Sequence, residues 1–170
     1  MKRISIYLVL LFVLIACESR TSLAQMFDSI DSLASSQHPQ KALEALDNIS
    51  PMYASMDKGE RMKYEFLYVK AKAKNYESIA HDSVIVDLAD YYHNKGNNKE
   101  KMEAYYILGI YYKQKGDAPR ALASFSKSLQ YADSTRNVRD MMLVHGMLQE
   151  VYEEGGLYTD ARREMKLAAN

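Results

Sequence analysis

Side chains able to do chemistry are few along this chain and stand far apart. The histidines, His38, His81, His93 and His145, fall singly in four separate segments. His81 is followed by Asp82, a pair that could serve as base and orienter or open a metal site. No second ligand stands three or four residues further on, so a solvated histidine beside a helix cap is the expected arrangement. Cys17 is the only cysteine, which excludes a zinc–thiolate site and a disulfide within the chain. There is no Gly-x-Ser-x-Gly, Walker-type or dinucleotide glycine loop, and no His-Glu-x-x-His. Without a nucleophile, base and orienter that converge, the sequence predicts no enzyme, no cofactor and no metal. One charged cluster stands out at Glu150, Glu153 and Glu154. Glu150 and Glu154 share a helical face as a like-charge pair, costing a few tenths of a kcal/mol in isolation. That cluster is either a solvated face or an acidic surface for a partner.

Whatever positions these groups has to be a packed domain. Apolar residues make up 48% of 170 and aromatic residues 11%, enough for one core of ordinary size. Only 7 glycines and 3 prolines argue against a sandwich or barrel with many tight turns. Basic and acidic side chains balance at 22 each, and losing Lys2 and Arg3 with a leader leaves 20 against 22. Neither figure supplies a basic footprint for nucleic acid or anionic lipid.

The first 16 residues are set apart from the fold. Lys2 and Arg3 precede an apolar run from Ile4 to Ile15, too short to span a bilayer core of about 30 Å and suited to a signal peptide. Leu14-Ile15-Ala16-Cys17 then resembles the lipobox of bacterial lipoproteins. The resemblance implies lipidation of Cys17, which becomes the new N-terminus, and a polar tether over residues 17–25. Acyl chains at about 0.8 kcal/mol per buried methylene anchor stably when two or three are present. The expected location is the bacterial cell envelope, on the outer membrane, with the side left open. Cleavage after Ala24 is the rival reading.

Helical spacing governs the rest. Between Met102 and Thr135, Tyr105, Leu108, Gly109 and Tyr112 fall on one helical face. Gly116-Asp117-Ala118-Pro119 then makes a turn, and Ala121 and Phe125 follow on a second helix. Gly116 suits a positive φ, Asp117 a cap and Pro119 a first turn. These offsets reproduce the pattern of a tetratricopeptide repeat, and weaker copies flank it. The resemblance implies an all-α, right-handed superhelical array of antiparallel hairpins over residues 26–170. Its hairpins begin near 23, 61, 102 and 142, a spacing of 38 to 41 residues. Asp82-Ser83 is expected to cap a helix, and Ser134 to Arg139 to form a loop between hairpins. In this reading Tyr105, Leu108, Gly109, Tyr112, Ala121 and Phe125 are packing residues. The chain stops at or inside its last expected helix. Thr159 to Asn170 is then a partial cap, or the chain is a truncated form of a longer protein, the reading favoured here.

In such arrays the first helix of each hairpin lines a concave face. Carrying the family's contact positions over gives Glu103, Tyr106, Ile110, Lys113 and Gln114 in the best hairpin. The next supplies Leu143, Gly146, Glu150, Glu153 and Glu154, and the preceding one Met62, Glu65, Val69, Lys72 and Ala73. A protein or peptide segment of basic character, lying across Tyr106 and the glutamates, is the ligand expected from this set.

Tyr105 to Gly109, Gly116 to Leu122 and Tyr131 to Thr135 together are similar to motifs of lipid-anchored tetratricopeptide proteins of Bacteroides-type bacteria. That resemblance covers roughly residues 60 to 165. It implies a membrane-anchored scaffold for protein or peptide partners. A glycan-binding envelope lipoprotein and the sensory fragment of a longer regulator are the alternatives.

Overall fold

The computed structural model describes residues 22–168. The expected leader 1–16, the lipidation residue Cys17 and the tether as far as residue 21 lie outside the described residues. Among the described residues the fold is all-helical. Helix α1 covers residues 22–35. It is followed by α2 (Pro39–Ile49), α3 (Lys58–Lys74), α4 (Val84–Lys95), α5 (Asn98–Gln114), α6 (Ala118–Thr135), α7 (Val138–Glu154) and α8 (Tyr158–Ala168). A 3-10 helix, Ser50–Ser55, connects α2 towards α3. From α2 onward each helix packs against its neighbours in sequence, and α3 also reaches α5.

A period of forty residues governs α3, α5 and α7. Their N-caps are Asp57, Asn97 and Asn137, and each helix is 17 residues long. Asp57 Oδ1 accepts the Glu60 N–H at 3.0 Å while its own N–H donates to Glu60 Oε2 at 2.7 Å. Asn97 and Glu100 repeat this capping box at 3.0 and 2.9 Å, so two orphan amides are satisfied at each start. Asn137 accepts the Asp140 N–H at 3.3 Å.

The three helices also end alike. Tyr76, Gly116 and Gly156 hold φ of 59°, 72° and 73°. The next amide, on Glu77, Asp117 or Leu157, donates back to the carbonyl of Lys72, Tyr112 or Tyr152 at 3.0, 2.9 or 2.8 Å. This is a Schellman ending repeated at one period. Only at 76 does a residue with a Cβ occupy the left-handed position, at a cost of about 1 kcal/mol.

These boundaries correct several expectations. The hairpins begin near 58, 98 and 138, close to one turn before 61, 102 and 142. No long loop separates α6 from α7, since Arg136, at φ 54°, and Asn137 alone join them. Ser83 makes no side-chain cap on α4, and Asp82 instead pairs with Lys72 at 2.6 Å. Downstream, α6 opens immediately after its turn, whereas in the preceding hairpin residues 78–83 stay out of helix and α4 starts only at Val84.

Two apolar cores meet at α3. Leu23, Phe27, Ile30, Leu46, Leu67 and Ala71 belong to the first, which joins α1, α2 and α3. Phe66 and Val69, on the other side of α3, enter the second, which runs through to α7. Near the middle of that core Gly109 lies against Phe125. A Cβ built there would stand 2.4 Å from Phe125 Cε1, so α5 and α6 approach as closely as the spacing predicts. Ala121 and Phe125 are fully buried.

Candidate functional site

A cleft of about 480 Å³ opens across the first helices of the hairpins. Ser35 comes from α1, Lys70 and Lys74 from α3, and Lys99, Met102, Glu103, Tyr106 and Ile107 from α5. Asn137, Arg139, Asp140, Met142 and Leu143 complete it at the start of α7. Four basic and two acidic side chains line it. A shallower depression, lined by Asp28, Asp31 and three serines, adjoins it and shares Ser35 and Lys99.

The floor is built around Lys70, which is only 2% exposed. Its Nζ donates to Asp31 Oδ1 at 2.7 Å and to Glu103 Oε2 at 2.9 Å, so one ammonium joins α1, α3 and α5. Burial works to lower the Lys70 pKa, but the carboxylates of Glu103 and Asp31 outweigh it and hold the ammonium above the ordinary lysine value. Burial likewise works to raise Asp31, and the Lys70 charge beside it holds the carboxyl below its usual value. A buried charge is tolerable only when paired and hydrogen-bonded in this way.

One turn along α3, Lys74 is treated differently. Its ammonium sits 5.3 Å from the centre of the Tyr106 ring, and no carboxylate lies within ion-pair distance among the described residues. Burial, and then repulsion from Lys70, lowers its pKa. Lys99 lies 4.0 Å from Glu103 Oε1 and is mostly exposed. Tyr106 beneath Lys74 is buried, and burial, with Glu150 adding to it, pushes its phenol up to about 12. It is a wall of the cleft and an inner partner of Phe125, with ring centroids 5.9 Å apart.

Of the residues carried over from the concave-face pattern, Glu103 and Tyr106 line the cleft, and Leu143 joins them. The others lie elsewhere. Ile110 is half-buried, and the side chain of Gln114 accepts the Ile79 N–H at 2.7 Å. Lys113 bridges to Glu150 at 2.8 Å and to Glu154 at 3.1 Å, so the acidic cluster is partly neutralised within the chain. Glu153 accepts from Gln149 at 2.9 Å. Glu65 accepts the Tyr53 hydroxyl at 2.8 Å, and Lys72 holds Asp82.

The misplacement on α3 is one of register. Subtracting forty from Tyr106, Ile110 and Gln114 gives Phe66, Lys70 and Lys74, one residue away from the positions expected. Lys70 and Lys74, the residues of the cleft that sequence reasoning missed, follow from this shift. The paired capping boxes at 57–60 and 97–100 carried the signal that would have found them.

One further buried pair lies outside the cleft. His145 Nδ1 and Glu164 Oε2, both buried, stand 2.7 Å apart between α7 and α8, where Glu164 faces inward and Met165 is exposed. Among the described residues no group of histidine, cysteine and carboxylates is placed to hold a metal, and no helix is long and apolar enough to cross a membrane. Compared with known protein families, characterised proteins and solved structures, the chain finds no significant match.

Proposed function

We propose that this chain is an interaction scaffold of the tetratricopeptide type, held at a bacterial envelope membrane by lipid on Cys17, with its partner segment lying in the cleft. The observation that carries the reading is that the cleft draws its walls from α1, α3, α5 and α7, the first helix of every hairpin. A surface assembled in this way from successive units is how helical repeat arrays present a concave face to an extended or helical ligand. The forty-residue period of caps and Schellman endings, together with the Gly109–Phe125 contact, supports the hairpin-array reading. The binding positions shift, however, from the glutamates of α7 to the cleft on α3 and α5.

The test is position-dependent crosslinking in the native envelope. A photoreactive residue replacing Leu143 in the cleft is expected to capture a defined partner, and one replacing Gln130, exposed on α6, is not. Equal capture from both positions, or none from Leu143, sinks the reading. Cys17→Ser is expected to move the protein out of the membrane fraction, and unchanged fractionation removes the anchor from the proposal.

A further inference from the structure

The charges of the cleft are not matched among the described residues. Lys70 is bound to two carboxylates. Lys74 has only an aromatic face, and Arg139 has no carboxylate within ion-pair distance among the described residues. Lys99 shares Glu103 at 4.0 Å with the much closer Lys70. Against these three cations the cleft offers Asp140. Lys74 is held half-buried beside a second ammonium, which costs free energy unless an anion arrives to balance it. Around the cations stand apolar surfaces that no other part of the described chain covers: Met142 is 48% exposed and Leu143 38%. An anion with apolar groups beside it satisfies both deficits at once.

We infer that the cleft binds an extended acidic peptide segment, a side-chain carboxylate seated among Lys74, Lys99 and Arg139 and its apolar neighbours against Met142 and Leu143. This rests on the scaffold reading and reverses the sign of the ligand drawn from the sequence, where Glu150 and Glu154 were counted as free. The adjoining depression, lined by Asp28 and Asp31, gives the groove a polarity. It disfavours a second acidic residue at the α1 end and suits a basic or hydroxyl-bearing one there.

Fluorescence anisotropy on the purified chain tests this with short, terminally blocked peptides that alternate leucine with glutamate, glutamine or lysine. The glutamate peptide is expected to bind saturably, and to weaken as salt rises and shortens the screening length to a few Å. Lys74→Met and Arg139→Gln are each expected to weaken it by about tenfold, the scale of one lost charge-assisted contact. Lys99→Gln, at an exposed position, serves as a second variant with no risk to folding. Lys127→Gln, on α6 outside the cleft, is expected to change nothing. Equal binding of all three peptides, preference for lysine, or indifference to the cleft variants overturns the inference. So does saturation by phosphatidylglycerol vesicles that the glutamate peptide fails to displace, or no saturable binding of the glutamate peptide. Crosslinking from Leu143 decides the parent reading separately, because it does not depend on the charge of the captured segment.

Discussion

At an offset of forty residues the hairpins α5–α6 and α7–α8 place equivalent residues in unequal surroundings. Met102 is 4% exposed and Met142 is 48%; Phe125 is fully buried and Met165 is 49% exposed. Each hairpin receives a lysine from the helix that precedes it in the cleft, but on different terms. Lys70 reaches Glu103 in the interior, whereas Lys113 reaches Glu150 and Glu154 with both carboxylates more than half exposed. The first helices α5 and α7 match in length, in an asparagine N-cap and in the Schellman bond that ends them. What differs is coverage, since α5 has helices on both sides and α7 has only one neighbouring hairpin among the described residues. Local geometry is therefore set within a hairpin, and its contribution to stability is set by what packs against it.

The largest expected contrast is between the two lysines. Lys70→Met leaves Asp31 and Glu103 facing each other with only the exposed Lys99, 4.0 Å from Glu103, nearby, and is expected to cost about 3 kcal/mol in chemical denaturation. Replacing Asp31 and Glu103 by leucine in the same chain is expected to recover most of that loss, because the penalty lies in the unpaired charges. A Lys70→Met variant as stable as the parent would erase the distinction between the hairpins. The pH profile sharpens it. Asp31, held low, contributes fully above about pH 4 and loses its contribution as pH falls through its folded value. Lys70, held high, contributes fully below about pH 10 and loses it as pH rises through its folded value. The stability difference between parent and variant is thus expected to be flat from about pH 5 to 9 and to shrink outside that window.

The helical glycines come next. Gly109→Ala drives a methyl into the Phe125 ring and is expected to destabilise by about 2 kcal/mol, overpacking outweighing the gain in helix propensity. Gly146→Ala, where nothing lies within 4 Å of the new Cβ, is expected to stabilise by up to about 1 kcal/mol. Thermal unfolding of both variants checks the opposite signs. Lys113→Met closes the series. Its partners are exposed, so a change below about 1 kcal/mol is expected, and a loss as large as that of Lys70→Met would mean the two crossings are alike.

Much of the helical framework was legible in the residues themselves. Gly109, Gly116, Asp117, Ala121 and Phe125 each have few physical alternatives at their positions, and the structure places them as the pattern does. Helix starts were less legible, because Asp57 and Asn97 lie a turn ahead of the first apolar residue and belong to the helix only through their glutamates. The cleft was the least legible part. Helix α5 is apolar on nearly all sides because it is packed on both faces, so its periodicity does not separate an inner from a ligand-facing side, and Tyr106 serves as both. On α3, one residue of register exchanged Lys70 and Lys74 for Val69 and Ala73, and it counted Glu65 and Lys72, which face Tyr53 and Asp82, among the contacts.

Ile79 offers a consequence of another kind. It lies in the segment between α3 and α4, is fully buried, and has its amide held by Gln114, 35 residues later in the chain. During N-terminus-first synthesis, α3 and α4 are complete well before that anchor emerges. The second hairpin is then finished by the third, and order is handed backward along the chain as well as forward.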